Sequence, residues 1–146
     1  KLHARIEFAD KLSNLQLLHK MISSSWKYMM VVKDTVVLRE NFAEELQAAL
    51  CSLPNNWQVL HLSSCDTKTG DTVGDNIRQF ISGSCTTGMV LTLESAISMV
   101  YERAPKSDRP FHYLATHGGY SEAAYITDPP LIDRRPIPTD KALPVV

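Results

Sequence analysis

The sequence predicts one α/β domain whose mostly parallel sheet is built through crossover helices. Three observations lead there. A helical apolar stripe runs through Asp10 to Trp26, an apolar run from Tyr28 to Leu38 is broken at Asp34, and a second helix followed by a strand occupies Asn41 to Leu62. The order helix, strand, helix, strand is that of crossover units. In open sheets of this kind ligands bind beyond the carboxyl ends of strands, so Asp34 is the first residue to question.

The chain has 146 residues, 44% of them apolar and 21% charged, which suits one soluble domain with a real core. A net charge of -1 argues against a nucleic-acid partner, because gripping phosphates calls for a basic surface. No apolar run is long enough to span a bilayer, and no signal or transit segment opens the chain. The first residue is Lys1, so the chain is expected to be a piece of a longer protein.

Leu2 to Phe8 alternates weakly and is expected to be an edge strand. Leu12, Leu15, Leu18, Ile22 and Trp26 then recur at helical spacing and define a core face, with His19 one step off it. The strand that follows is expected to be short and buried and to end at Asp34. Asn41 and Glu44 have the spacing of a capping box, Phe42, Leu46, Ala49, Leu50 and Leu53 make the apolar face of the next helix, and Pro54-Asn55-Asn56 stops it. A strand at Trp57 to Leu62 comes next. Ser63 to Gly83 reads as a long polar loop, and loops of that length are functional or disordered. A strand at Cys85 to Leu91 leads to Thr92, an N-cap candidate for a helix that Pro105 ends. Beyond it lie a short strand at Ala123 to Thr127 and an extended proline-rich tail over 129–146, with Pro136 and Pro138 near its end.

Cys51, Cys65 and Cys85 are an odd set without CxxC spacing, so reduced, packed thiols and a reducing intracellular compartment are expected. The five histidines show no metal-ligand spacing. A thiol enzyme pairing Cys65 or Cys85 with His61 or His117 has no supporting signature.

Several blocks together resemble the glycosyltransferase family twenty-five domain, which includes lipooligosaccharide and collagen galactosyltransferases. Trp26 to Leu62 is similar to that family's apolar strand, acidic EDD, helix and second strand. Gly83 to Ala96 is similar to its "G-T-x-x-Y-x-I-S-x-x-G-A" segment, Tyr125 to Ile132 to its "Y-x-x-x-P-P-L-V" ending, and Leu18-His19 stands at its Ser-His dipeptide.

The resemblance implies a GT-A-like fold and transfer of a hexose, often galactose, from a nucleotide sugar to a glycan or protein acceptor. It also implies Mn²⁺ or Mg²⁺ at the acidic cluster, where the cation neutralises the leaving diphosphate. Carried over by position, the EDD falls on Lys33, Asp34 and Thr35. Asp34 alone keeps a carboxylate and is the implied metal ligand and catalytic residue. Lys33, Thr35 and His19 are the implied donor-binding positions, and Asp108 stands for the aspartate that would position or deprotonate the acceptor hydroxyl. The Arg-containing nucleotide-binding strand that normally opens the family has no counterpart before Leu12. With the acidic cluster also reduced, the expectation is a degenerate, weakly active or inactive transferase. The alternative is a non-catalytic interaction module that contacts a protein partner, or a second copy of itself, through the proline-rich tail and the region of Phe111 to Tyr113.

Overall fold

The computed structural model describes residues 1–84, 86–116 and 123–135. A six-stranded sheet in the order β1-β6-β3-β7-β5-β4 is formed by β1 (Tyr28–Val32), β3 (Val59–His61), β4 (Lys68–Gly74), β5 (Ile77–Ser82), β6 (Gly88–Thr92) and β7 (Ala124–Thr127). A second, two-stranded sheet pairs β2 (Val36–Leu38) with β8 (Ile132–Arg134). The architecture is therefore α/β and a single small domain, but the sheet is mixed. Among the described residues only β3 and β7 pair in parallel, and the other pairings are antiparallel. The helical connection from β1 to β3 does leave those two strands running the same way, but β6 inserts between them in the opposite sense. Helix order alone could not reveal that insertion.

Helix α1 (Leu2–Ser23) begins 8 residues before the expected Asp10 and replaces the expected edge strand. Ala4, Arg5, Glu7 and Ala9 favour helix over strand. Leu18 and Met21 reach the core from its second half, with Leu15 and Ile22 packed beside them, whereas Leu12 and Trp26 stay exposed. Helix α2 (Phe42–Ser52) starts at Asn41, but the capping box does not form: Asn41 has φ 57 and its side chain makes no cap hydrogen bond. Asparagine tolerates this left-handed conformation, which turns the chain out of the Arg39 bend into the helix. Pro54 ends α2 by holding Leu53 extended.

Thr92 caps α3 (Leu93–Ile97) by accepting a hydrogen bond from Ser95 N at 3.3 Å, as its position in the sequence predicts. The helix widens into a π-helical turn over Ser98–Arg103 and tightens again at Ala104–Lys106, around Pro105. Helix α4 (Phe111–Thr116) follows Pro110. α1, α3 and α4 cover one face of the sheet around Met89, Leu91, Ala96, Met99, Phe111 and Leu114. α2 and the β2–β8 pair close the other face over Leu60, Ile77, Val90 and Tyr125.

Three further expectations change. β1 is an edge strand whose residues alternate between exposed and half-buried, so it is not the buried strand the apolar run suggests. The polar stretch Ser63 to Gly83 is no long loop: most of it is the β4–β5 hairpin, turned at Asp75-Asn76 with φ 57 at Asn76. The start of the expected tail is ordered, since β8 pairs with β2 and Leu62 O accepts from Leu131 N and Ile132 N. Pro136, Pro138, His117 and Cys85 lie outside the described residues. No helix among the described residues is long and apolar enough to cross a membrane.

Candidate functional site

Because β6 opposes both of its neighbours, β1 and β3 run in the same direction, and β7 runs with β3. The carboxyl ends of these three strands therefore share one end of the sheet. The Lys33-Asp34-Thr35 turn stands there, with Lys33 N donating to Thr87 O at 2.9 Å and Val36 N closing the turn onto Lys33 O at 3.3 Å. Its side chains face solvent. Lys33 Nζ lies 3.6 Å from Asp10 Oδ1 on α1, and the Thr35 carbonyl accepts from Arg135 N at 2.7 Å.

The other expected site residues lie elsewhere. His19 is exposed, with its ring edge-on to Tyr101 at 6.0 Å. Asp108 lines a separate cavity of about 430 Å³ between the first half of α1 and the loop before α4, where Lys11 Nζ donates to Ser107 O at 2.7 Å. Neither Asp34 nor His19 is among the described residues that line the Asp108 cavity. Among the described residues no group of three His, Cys, Asp or Glu side chains converges. A hard divalent cation wants several oxygens, so one carboxylate on an exposed turn beside a lysine is a poor donor set for Mn²⁺ or Mg²⁺.

Two strands away at the same end of the sheet, the structure forms a cleft of about 220 Å³ lined by Ser64, Thr67, Thr69, Ile126, Thr127, Asp128 and Pro130. The sole parallel pair positions it. β3 passes through His61 into the Ser63–Thr67 bend, and β7 ends at Thr127 before the cis Asp128–Pro129 peptide. The bend is held in several ways. Thr67 Oγ1 accepts from Cys65 N at 3.0 Å, Ser84 N donates to Cys65 O at 3.1 Å, and the Ser63 and Thr87 hydroxyls touch.

Cys65 itself is disulfide-bonded, with Arg134 Nη2 3.1 Å from its sulfur, while Cys51 is a free exposed thiol. This corrects the expectation of uniformly reduced thiols. Spacing alone could not reveal that bond.

Asp128 sits 3.6 Å from Arg78 Nη1, and Arg78 also donates to Gly70 O from Nε at 3.2 Å and Nη2 at 3.1 Å. Asp128 N is fixed by Asn76 O at 2.8 Å. Beside β8, Arg39 grips Asp133 with two hydrogen bonds of 2.9 Å. Those bonds hold the Asp133 carboxyl below its ordinary range.

Two buried polar atoms at the ends of these strands have no hydrogen-bond partner: His61 Nε2 and Thr127 Oγ1. His61 stacks on Phe80 at 4.0 Å, and burial lowers its pKa to about 4, so the ring is neutral at pH 7. Thr127 is only 2% exposed and lines both the hydroxyl-rich cleft and a smaller cavity of about 120 Å³ beside Glu45, Asp75 and Asn76. Burying an unpaired hydroxyl costs about 1–3 kcal/mol, and the two cavities that Thr127 lines are the places open to a partner for it, water included.

The cleft therefore offers side-chain hydroxyls, one carboxylate next to a guanidinium and a buried unpaired hydroxyl in its wall. That chemistry suits a small, neutral, polyhydroxylated ligand. Sequence reasoning read Ser63 to Gly83 as a loop of functional length but missed Thr127 and Asp128 as site residues. The available signal was a single hydroxyl closing the apolar strand Ala124-Tyr125-Ile126-Thr127 immediately before Asp-Pro-Pro. The chain matches no protein-family profile and no curated protein sequence.

Proposed function

We propose that this chain is a glycosyltransferase-like domain that binds the sugar portion of a nucleotide sugar but has lost metal-dependent transfer of the hexose. The hydroxyl-rich cleft at the carboxyl ends of β3 and β7 carries the reading, with Thr127 in its wall. Its volume of about 220 Å³ suits one pyranose ring, and Ser64, Thr67 and Asp128 supply both donors and acceptors for sugar hydroxyls. The loss of transfer rests on the Lys33-Asp34-Thr35 turn, where Lys33 is drawn to Asp10 and Asp34 belongs to no group of three metal-ligating side chains among the described residues. The chain's own groups orient the sugar and leave its anomeric bond intact.

Thermal shift and calorimetry with a panel of UDP- and GDP-hexoses test this. Stabilisation is expected with at least one of them, equal with and without Mn²⁺, unchanged in Asp34→Ala and lost in Thr67→Val. Mn²⁺-dependent stabilisation that vanished in Asp34→Ala, or release of free hexose or a glycosylated acceptor, would overturn the loss of transfer. No stabilisation by any donor would overturn the binding claim.

One observation favours the non-catalytic interaction reading. In β1 the odd-numbered residues face β6, as Lys33 N on Thr87 O shows, so Tyr28, Met30 and Val32 turn their N–H and C=O groups toward the open edge of the sheet. Their side chains are also exposed. Strand addition there needs an extended apolar segment from a different chain, because antiparallel self-pairing about Met30 would set Lys27 against Lys33. Binding of an extended apolar peptide that Met30→Lys leaves unchanged would exclude this edge as the contact.

A further inference from the structure

At the opposite end of the sheet, Tyr28 and Trp57 stack nearly parallel, their rings 5.7 Å apart and inclined by 11°. Tyr28 nevertheless remains 60% exposed. Together with Lys27, Asn55, Thr92 and Glu94 they line a cavity of about 250 Å³. Leu93 N on Lys27 O at 2.9 Å and Thr92 N on Gln58 O at 3.0 Å fix the backbone around it. The Lys27 ammonium, the Asn55 amide and the Glu94 carboxylate make no hydrogen bond or ion pair with other described residues.

An aromatic surface left to water and ringed by unpaired donors and acceptors is unusual on a small domain. Its chemistry matches a pyranose. The apolar C–H face of a sugar ring lies on an aromatic plane, and its rim of hydroxyls takes bonds from an ammonium, an amide and a carboxylate.

We propose that this cavity is a saccharide-binding site separate from the cleft at the carboxyl ends. It lies at the start of β1 and β3, across the length of the sheet from Thr127. Tyr28 and Trp57 supply the platform, Glu94 and Asn55 accept from ring hydroxyls, and Lys27 donates to them. The site does not depend on the cleft, so either can fail alone.

The test uses the whole chain and methyl glycosides of glucose, galactose and mannose, read by saturation-transfer NMR and by tryptophan fluorescence. A hexoside of about a dozen heavy atoms at ordinary ligand efficiency binds on the order of 1 mM. At least one glycoside is expected to do so. Tyr28→Ala should weaken it at least tenfold, Tyr28→Phe should restore it, and Glu94→Gln should weaken it severalfold. Melting temperatures of the variants separate lost binding from lost folding. No saturation transfer to any of the three glycosides, or binding indifferent to Tyr28→Ala in a folded variant, overturns the proposal. Tighter binding of uridine or adenosine than of every glycoside overturns the ligand class.

Discussion

Replacing Thr127 by Val exchanges a buried hydroxyl for a methyl of nearly the same shape. Both side chains are β-branched, so the strand preference and rotamer freedom of β7 change little. Thr127 is 2% exposed and its Oγ1 has no partner, so folding strips that hydroxyl of water without returning a bond. An unsatisfied buried hydroxyl costs about 1–3 kcal/mol, and the valine should recover about 1–2 kcal/mol of that. For a chain of 146 residues each kcal/mol moves the melting temperature by about 3 °C, so a rise of about 3–6 °C is expected. Urea unfolding should agree, with a higher midpoint at unchanged slope. Thr127→Ala, which also deletes the methyl, should fall below the valine variant by about 1 kcal/mol. Destabilisation of more than about 1 kcal/mol by valine would show that the hydroxyl is bonded in the free protein, and Thr127 would lose its standing as a binding residue.

His61 is held at about 4 by burial, below the ordinary 6.5, so only the unfolded chain takes up its proton between those values. The stability it supports is complete above pH 6.5 and lost as pH falls toward 4, by up to about 3 kcal/mol; His61→Leu should flatten that acid limb in urea titrations at stepped pH. A Cβ at Gly88 would collide with Ile132 Cδ1 and come within 3.3 Å of Val32 Cγ1. Gly88→Ala should cost about 1–3 kcal/mol, and the double variant with Ile132→Val, which removes the offending methyl, should regain at least half in a double-mutant cycle. Reducing the disulfide at Cys65 should lower stability by about 2–4 kcal/mol, and Cys65→Ser should melt at the same temperature with or without dithiothreitol.

What the sequence revealed was local. The second half of α1, the span of α2 and the Thr92 cap depend on residues three or four apart, and all lie where their patterns place them. The sheet depends on partners far along the chain. The apolar run Tyr28 to Val32 has the composition of a buried strand, yet it lies at an edge because its single neighbour is β6, some sixty residues later. The β4 strand is hard to see because Lys68, Asp71 and Thr72 leave it polar on an edge that demands no apolar face, although Asp75-Asn76 between two threonine- and isoleucine-bearing arms is a hairpin signal. The expected acidic site was one tip of three co-directed strands. The cleft belongs to the other two, and only the pairing of Val59 with Ala124 brings the Ser63 bend and Thr127 together.

Thr127 stands between two chambers, the cleft beside Thr67 and the smaller cavity beside Glu45. A single hydroxyl has one proton to give and two lone pairs to offer, so two guests that both need its proton compete for it. For such guests the two chambers are linked. Whatever factor a guest in one imposes on the affinity of the other is returned in equal measure, because linkage is reciprocal. α2 carries Glu45 over the second chamber, so the last residue of β7 borders both the strand-end cleft and the cavity beside α2.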